Sequence, residues 1–129
     1  MTAYLSVDQV LALHRILVRE FGGAAELRDR GALEAAVARP AMTFGGDDLY
    51  ADLPAKGAAL MHSLVLNHPF LDGNKRAGAA SVELFFGANG SALMADDGEM
   101  EALTLDVAKG EVEVEALAIW FRQRLRPLP

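Results

Sequence analysis

A nine-residue segment, His68–Arg76, places an imidazole, a carboxylate, an amide and two cations close together in the chain. The imidazole can take a proton from an attacking hydroxyl near neutral pH. Asp72 offers the hard carboxylate oxygen that Mg²⁺ prefers. Arg76 can hold phosphate oxygens through two parallel hydrogen bonds, and Lys75 adds a compact positive charge. These residue types predict the transfer of a phosphate-containing group.

The same segment has the pattern of a loop that leads into a helix. Pro69 disfavours the helical conformation at the residue before it, so the preceding apolar helix is expected to end near His68. Gly73 and Asn74 let the backbone turn before the next helix begins. Unpaired N–H groups at that helix start, together with the positive end of the helix dipole, would stabilise phosphate in the loop. Phe70 is expected to anchor the loop in the core.

A simpler interpretation of the segment is an ordinary helix start. Asp72 or Asn74 would then cap the helix, Lys75 and Arg76 would be an exposed basic pair, and His68 would be a buried packing residue. Capping explains one residue and leaves the other four as coincidence. The phosphate-site interpretation is therefore favoured.

The segment resembles the signature of the Fic/Doc family, and specifically of its death-on-curing (Doc) branch. Fic adenylyltransferases carry the pattern His-x-Phe-x-Asp/Glu-Gly-Asn-Gly-Arg-x-x-Arg. Here Lys75 stands in place of the second glycine and Ala79 in place of the last arginine, and both departures point to the Doc branch. Segments 28–40 and 109–120 also resemble that branch, so the likeness covers most of the chain as one domain, 1–129.

The resemblance implies a toxin of a toxin–antitoxin pair that acts as a protein kinase. It would transfer the γ-phosphate of ATP, with Mg²⁺, to a threonine or serine of a translation factor, with elongation factor Tu as the expected target. By position, the implied catalytic residues are His68 as the general base, Asp72 as the magnesium ligand, and Lys75. The implied nucleotide-binding residues are Gly73, Asn74, Lys75 and Arg76.

Two other functions stay open. One is a Fic-type AMP transferase with the same base, which Lys75 and Ala79 argue against. The other is a catalytically silent scaffold that only binds an antitoxin. Self-restrained Fic proteins carry the pattern Ser/Thr-x-x-x-Glu-Gly/Asn, which this chain lacks. Restraint is therefore expected in trans, from a Phd-like antitoxin whose disordered segment folds as a helix into an apolar groove. Helix 1 and the face carrying Trp120 are the expected groove walls.

Composition limits the class of protein. The chain has 129 residues and no cysteine, and its 12 basic against 18 acidic residues give a net charge of −6. Such a charge disfavours direct binding to nucleic acid or to an anionic membrane surface. The sequence has neither a basic-then-apolar leader nor an apolar run of membrane-spanning length. A soluble cytoplasmic protein is expected.

The hydrophobic periodicity predicts an all-α, single-domain bundle of about six helices, with the active loop between the two central ones. The family resemblance implies that this bundle is Fic-like. The predicted helices cover residues 7–21, 30–38, 53–67, 74–88, 97–108 and 111–126, with a short extended piece at 91–95. The segment between Pro40 and Asp52 has turn chemistry without helical period. The family resemblance implies a flap that covers the nucleotide or holds the target peptide, and the length of the segment favours this over the alternative of an ordinary connection.

Two further histidines fall outside the motif. His14 lies on the apolar face of the first helix, which predicts a hydrogen-bonded packing residue rather than a catalytic one. His62 comes six residues before His68, and this is not the spacing that places two imidazoles on one helix face for zinc. It is expected to be structural.

Overall fold

Six α-helices form most of the protein, and the computed structural model describes all of residues 1–129. The helices are α1 (Val7–Phe21), α2 (Arg30–Ala38), α3 (Leu53–Leu66), α4 (Asn74–Ala88), α5 (Asp97–Ala108) and α6 (Val114–Arg124). Two antiparallel pairs of short strands accompany them, β1 (Thr43–Phe44) with β2 (Asp47–Asp48) and β3 (Ser91–Leu93) with β4 (Leu125–Pro127). The predicted all-α, single-domain class is confirmed.

Side chains just before four of the helices determine where those helices begin. Each accepts a hydrogen bond from a backbone N–H in the first turn, which satisfies a donor that the helix itself leaves unpaired. These N-cap residues are Ser6 for α1, Asp29 for α2, Asp52 for α3 and Asp96 for α5. Such caps are local in sequence, and this is why the predicted starts of these helices were correct.

Helices α3 and α4 pack against each other in the middle of the bundle, where glycine permits a close approach. A Cβ atom on Gly57 would lie 2.3 Å from the Phe86 ring, and one on Gly78 would lie 2.6 Å from Val65. Most residues of α3 are buried, as expected for a helix that is apolar nearly all round. The loop that joins these two helices therefore begins and ends on a closely packed frame.

The C-terminal region differs from the prediction. The last helix was predicted to run over 111–126, but α6 spans only Val114–Arg124. Gly110 turns the chain at φ +75°, and from Leu125 onward the backbone is extended because it pairs with β3. The partner strand lies more than 30 residues earlier in the chain, so the local helical pattern carried no sign of this pairing.

The segment between α2 and α3 contains the β1–β2 hairpin, which turns at Gly45 and Gly46 with φ of 61° and 87°. Just beyond it, the Tyr50 hydroxyl accepts a hydrogen bond of 2.7 Å from Arg39. Phe44 in the hairpin is 81% exposed. No residue of the hairpin lines the cavity described below, and its role as a flap stays a prediction.

None of the helices is both long enough and apolar enough to cross a membrane.

Candidate active site

A cavity of about 800 Å³ opens beside the loop that joins α3 to α4. Its walls come from the C-terminal part of α1, the loop itself, the first turns of α4 and one face of α5. Every residue that the sequence analysis assigned to the site lines this cavity, namely His68, Asp72, Gly73, Asn74, Lys75 and Arg76. The fold thus brings the proposed base, the proposed metal ligand and the two cations together in the wall of this cavity.

The segment between α1 and α2 holds the loop through backbone hydrogen bonds. The backbone N–H groups of Arg28 and Asp29 donate to the Pro69 carbonyl over 2.8 and 2.9 Å, and Leu71 donates to the Glu26 carbonyl over 3.0 Å. Phe70 is 1% exposed, so the prediction that it anchors the loop in the core is confirmed. Backbone pairing and one buried ring make the loop a fixed structure rather than an exposed tether.

His68 is the one non-glycine residue with positive φ, at 47°. A side chain in this left-handed region is uncommon and persists where the surroundings hold it. The Arg28 guanidinium supplies that restraint, because its Nε donates to the His68 carbonyl over 2.6 Å and its Nη2 to the Asn67 carbonyl over 2.9 Å. The His68 ring itself is exposed to the cavity. An arginine thus fixes the backbone while leaving the imidazole accessible.

The Asn74 side chain forms hydrogen bonds with the loop backbone and is therefore not free to bind a ligand. Its Oδ1 accepts from the Phe70 N–H and its Nδ2 donates to the Phe70 carbonyl, both over 3.0 Å. Nδ2 also lies 3.4 Å from Nδ1 of His68, which is a long contact that does not fix the tautomer of the imidazole. Only the backbone N–H of Asn74 therefore remains available for phosphate.

The start of α4 differs from those of α1, α2, α3 and α5, which are capped by a side chain. Gly73 occupies the N-cap in the left-handed conformation, with φ of 79°, and no side chain caps the helix. The N–H groups of Asn74, Lys75 and Arg76 accordingly have no acceptor in the protein. Unpaired amides at a helix N-terminus favour an anion in front of them.

The two cations of the motif carry no carboxylate partner. Lys75 and Arg76 are exposed and form no ion pair. The Arg76 guanidinium lies over the Phe21 ring, 4.5 Å from its centroid, which holds it at the cavity wall without neutralising it. Their positive charge is thus available to a ligand in the cavity.

Asp72 is suited to a magnesium ion that arrives with a nucleotide. Its carboxylate is exposed, and Oδ2 accepts a hydrogen bond of 2.9 Å from the Ala24 N–H. No group of three or more acidic or histidine side chains is arranged to hold a metal by itself. Mg²⁺ is ordinarily bound through one or two carboxylates, with phosphate and water completing its shell. A single carboxylate fits that donor set, and the neighbouring cations and free amides are placed to hold the phosphates that would complete it.

The far end of the cavity is acidic. Glu83, Asp97 and Glu101 line it, while apolar side chains such as Leu17 and Met100 lie in the walls between the two ends. Partial burial and the nearby Asp97 carboxylate both raise the pKa of Glu83. The cavity therefore has a positive end at the loop and a negative end about two helical turns further along α4.

For residues outside the motif, the structure agrees with some of the sequence predictions and adds contacts that they did not include. His14 is buried and hydrogen-bonded, as predicted. His62 lies outside the cavity, and burial together with the neighbouring Arg39 lowers its pKa. The bracing role of Arg28 was missed, because its partners lie 39 and 40 residues away in the chain. Trp120 does not line this cavity but a separate one of about 410 Å³ between α5 and α6.

A helical bundle with a charged cavity at the loop before its fourth helix is found in a known protein family. Residues 4–86 of this chain match the model of the Fic/DOC family. The chain belongs to this family, and the resemblance described above is confirmed. Over 120 residues it is 42% identical to Toxin Doc of Mycolicibacterium smegmatis, which covers 92% of this chain and 90% of that protein. Over 120 residues it is also 29% identical to Protein kinase doc of Escherichia phage P1, with 93% and 94% covered.

Proposed function

We propose that this protein is the toxin of a toxin–antitoxin pair and acts as an ATP-dependent protein kinase. Its substrate would be a serine or threonine hydroxyl of a translation factor, with elongation factor Tu as the expected target. The observation that carries the proposal is the convergence of His68, Asp72 and the uncapped, cationic start of α4 on one cavity. The names of the two relatives, a toxin and a protein kinase, support the same conclusion. Such a target would place the protein in the cytoplasm.

The chemistry follows from the placement of these groups. His68 takes the proton of the target hydroxyl, whose oxygen bonds to the γ-phosphorus while the bond to the ADP oxygen breaks and ADP leaves. Lys75, Arg76 and the free amides of the first turn of α4 face the phosphates and offset their negative charge. Mg²⁺ bound at Asp72 would supply further neutralisation of phosphate charge.

An AMP transferase with the same base is the second candidate, and the cavity itself argues against it. Lys75 and Ala79 both line the cavity, so the two departures from the Fic pattern change its interior directly. At Lys75 a cationic side chain occupies space where Fic enzymes have glycine. At Ala79 a methyl group stands where a second arginine would meet phosphate. Both changes alter how a nucleotide is held, which favours γ-phosphate transfer.

Labelling with ATP in a cell lysate tests the proposal. The wild-type protein should transfer label from the γ position of ATP to one protein and none from the α position. His68→Ala should lose the transfer, whereas His62→Gln, a histidine change on α3 outside the cavity, should keep it. Label from the α position alone would establish AMP transfer instead. Transfer from neither position, under conditions where the wild-type protein is folded, would favour the silent scaffold.

A Phd-like antitoxin is the proposed partner, and the same cavity is the proposed groove. An amphipathic helix could place its apolar side against Leu17, Met100 and Leu105. Its acidic end would face Lys75 and Arg76, which covers the phosphate site, and its basic end would face Glu83. In this proposal α1 is one wall of the groove, while Trp120 lines the separate cavity between α5 and α6.

Co-expression with the neighbouring reading frame tests this partner. The expected result is a complex on co-purification that is weakened by Glu101→Lys and barely changed by Glu115→Lys, an exposed acidic residue of α6 outside the groove. Equal recovery with both variants would count against the groove. Harmless, fully active protein made without the neighbour would count against an antitoxin.

A further inference from the structure

We infer that His14 is a positioning residue for the proposed magnesium ligand, holding Asp72 through its backbone. His14 lies on α1 and is 1% exposed. Its Nε2 is 2.7 Å from the Asp72 carbonyl oxygen. A carbonyl oxygen can only accept a hydrogen bond, so the imidazole must be the donor. The kinetic part of this inference rests on the proposed kinase function, whereas the structural part does not.

A second contact fixes the orientation of the imidazole. The His14 ring stacks on the Phe70 ring, with 3.7 Å between centroids and 6° between planes. Phe70 is itself buried, and its backbone is held by the Asn74 side chain. The ring of His14 is therefore locked between the core and the loop, and its Nε2 is aimed at one carbonyl.

Asp72 is restrained from three directions, all of them from α1 and the turn that follows it. Its carbonyl meets His14, and its carboxylate accepts from the Ala24 N–H over 2.9 Å. On the third side Gly23 lies so close that an added Cβ would be 3.3 Å from the Asp72 Cβ. An otherwise exposed loop carboxylate is thus held in one place before any ligand binds.

The hydrogen bond from His14 to the Asp72 carbonyl also affects the start of α4. Gly73 follows Asp72 in the left-handed conformation, and a Cβ on Gly73 would lie 3.4 Å from Nε2 of His14. Loss of the imidazole would free the peptide between Asp72 and Gly73 to rotate, and the carboxylate and the first amides of α4 would move together. Misplacement of a catalytic group by about 1 Å can cost up to roughly a hundredfold in rate.

Two substitutions separate positioning from mere packing. His14→Gln keeps an N–H donor at about the reach of Nε2, whereas His14→Leu keeps apolar volume and removes the donor. Asn89→Ala is the matched control, because Asn89 also braces backbone, donating to the Ala3 and Phe85 carbonyls far from the cavity. The readouts are hydrogen exchange of the loop amides, the Mg²⁺ concentration that gives half-maximal phosphate transfer, and the unfolding temperature.

In His14→Leu we expect the half-maximal Mg²⁺ concentration to rise roughly tenfold or more and the hydrogen-bonded amides of Phe70 and Leu71 to exchange faster. His14→Gln should stay within about threefold of wild type in both readouts. Asn89→Ala should lower the unfolding temperature without moving either one. A folded His14→Leu protein with wild-type exchange and wild-type Mg²⁺ dependence would overturn the inference, as would a His14→Gln protein no better than His14→Leu.

The exchange measurement keeps this inference separate from the proposed function. If the wild-type protein transfers no phosphate, the kinase proposal fails. Faster loop exchange in His14→Leu, restored in His14→Gln, would even then support His14 as the residue that pins Asp72. Unchanged loop exchange in His14→Leu would overturn the inference that His14 positions Asp72, whatever the outcome of the kinase assay.

Discussion

Arg28 donates a hydrogen bond of 2.6 Å to the backbone carbonyl of His68, a residue 40 positions further along the chain. The same guanidinium reaches the Asn67 carbonyl over 2.9 Å. These carbonyls follow the end of α3, where the helix leaves acceptors without partners. One side chain therefore satisfies the end of α3 and holds His68 in its left-handed conformation. The proposed general base depends on an arginine that does not touch the cavity.

We predict that Arg28→Met slows phosphate transfer about tenfold or more, because the backbone of the proposed base loses its restraint. The free energy of unfolding should fall by about 1 kcal/mol, the magnitude of one or two exposed hydrogen bonds. Steady-state kinetics and urea denaturation measure the two effects. Arg30→Met is the control, since Arg30 pairs only with Glu34 on the surface. Wild-type kinetics in Arg28→Met would contradict the bracing role.

His68→Ala should remove transfer while leaving the fold intact. General bases contribute about 10²- to 10⁴-fold in rate, and an exposed imidazole adds little to the core. Asp72→Asn should be nearly as inactive although it can still accept the hydrogen bond from Ala24. Circular dichroism and thermal melting provide the check on folding. Unfolding of either variant would favour the structural interpretation of the motif.

Much of this site could be predicted from local sequence. Pro69 and Gly73 define a loop, and the residues around them have types that suit phosphate, so the side of the cavity formed by the loop and the start of α4 was predicted, whereas the walls from α1 and α5 were not. The supports of the loop could not be predicted in this way. The partners of His14 and Arg28 are 58 and about 40 residues away, and a single sequence contains no record of such pairs. The contact of the Asn74 side chain with Phe70 was missed for a different reason, because the two residues are only four apart but their contact depends on the exact geometry of the turn.

Lys75→Gly should weaken phosphorylation, because it removes a cation that no carboxylate neutralises and empties the space that the Lys75 side chain occupies in the cavity. Some transfer of AMP by this variant would be compatible with the proposal, although Ala79 still supplies no second arginine. Lys75→Met is the matched control, since it removes the charge and keeps the bulk. Parallel assays with γ-labelled and α-labelled ATP measure both activities. Phosphorylation by Lys75→Gly at the wild-type rate would contradict the role assigned to the Lys75 side chain in favouring γ-phosphate transfer.

Asp52 couples the start of α3 to α6 and gives stability a defined pH dependence. Burial opposes its ionisation, but the Ala55 N–H and the Arg122 guanidinium outweigh burial and lower the pKa. A depressed folded-state pKa contributes stability above the unfolded value of 3.8, and this stability is lost as pH falls below it. Asp52→Ala should therefore cost about 1 kcal/mol at pH 7, mostly through the lost cap.

Asp52→Asn separates the cap from the ion pair. Asparagine caps helices about as well as aspartate, so this variant should lose only the modest contribution of an exposed pair. Its urea midpoint should approach that of the wild-type protein as the pH is lowered from 5 towards 2. Parallel pH profiles for the two proteins would contradict the predicted coupling.

Glu83 should have the opposite effect, because its raised pKa means that ionisation opposes folding. A folded-state pKa above the ordinary value of 4.5 contributes stability at low pH that is lost as pH rises through the folded value. Glu83→Gln removes that loss, so the variant should unfold at a higher temperature than wild type at pH 7. The difference should shrink as the pH falls through 4.5 and below, where Glu83 becomes protonated in the unfolded state as well.

The same substitution should weaken the proposed antitoxin complex, since the acidic end of the groove would lose a charge that faces the partner. Greater stability of the free protein and weaker binding would then come from one carboxylate, which is typical of a surface kept for a partner at some cost in stability. Glu115→Gln, on the exposed surface of α6, is the control for both measurements. Thermal melting across pH and co-purification at two salt concentrations measure the two effects. A Glu83→Gln protein that is no more stable at pH 7 and binds as tightly as wild type would contradict the role assigned to this end of the cavity.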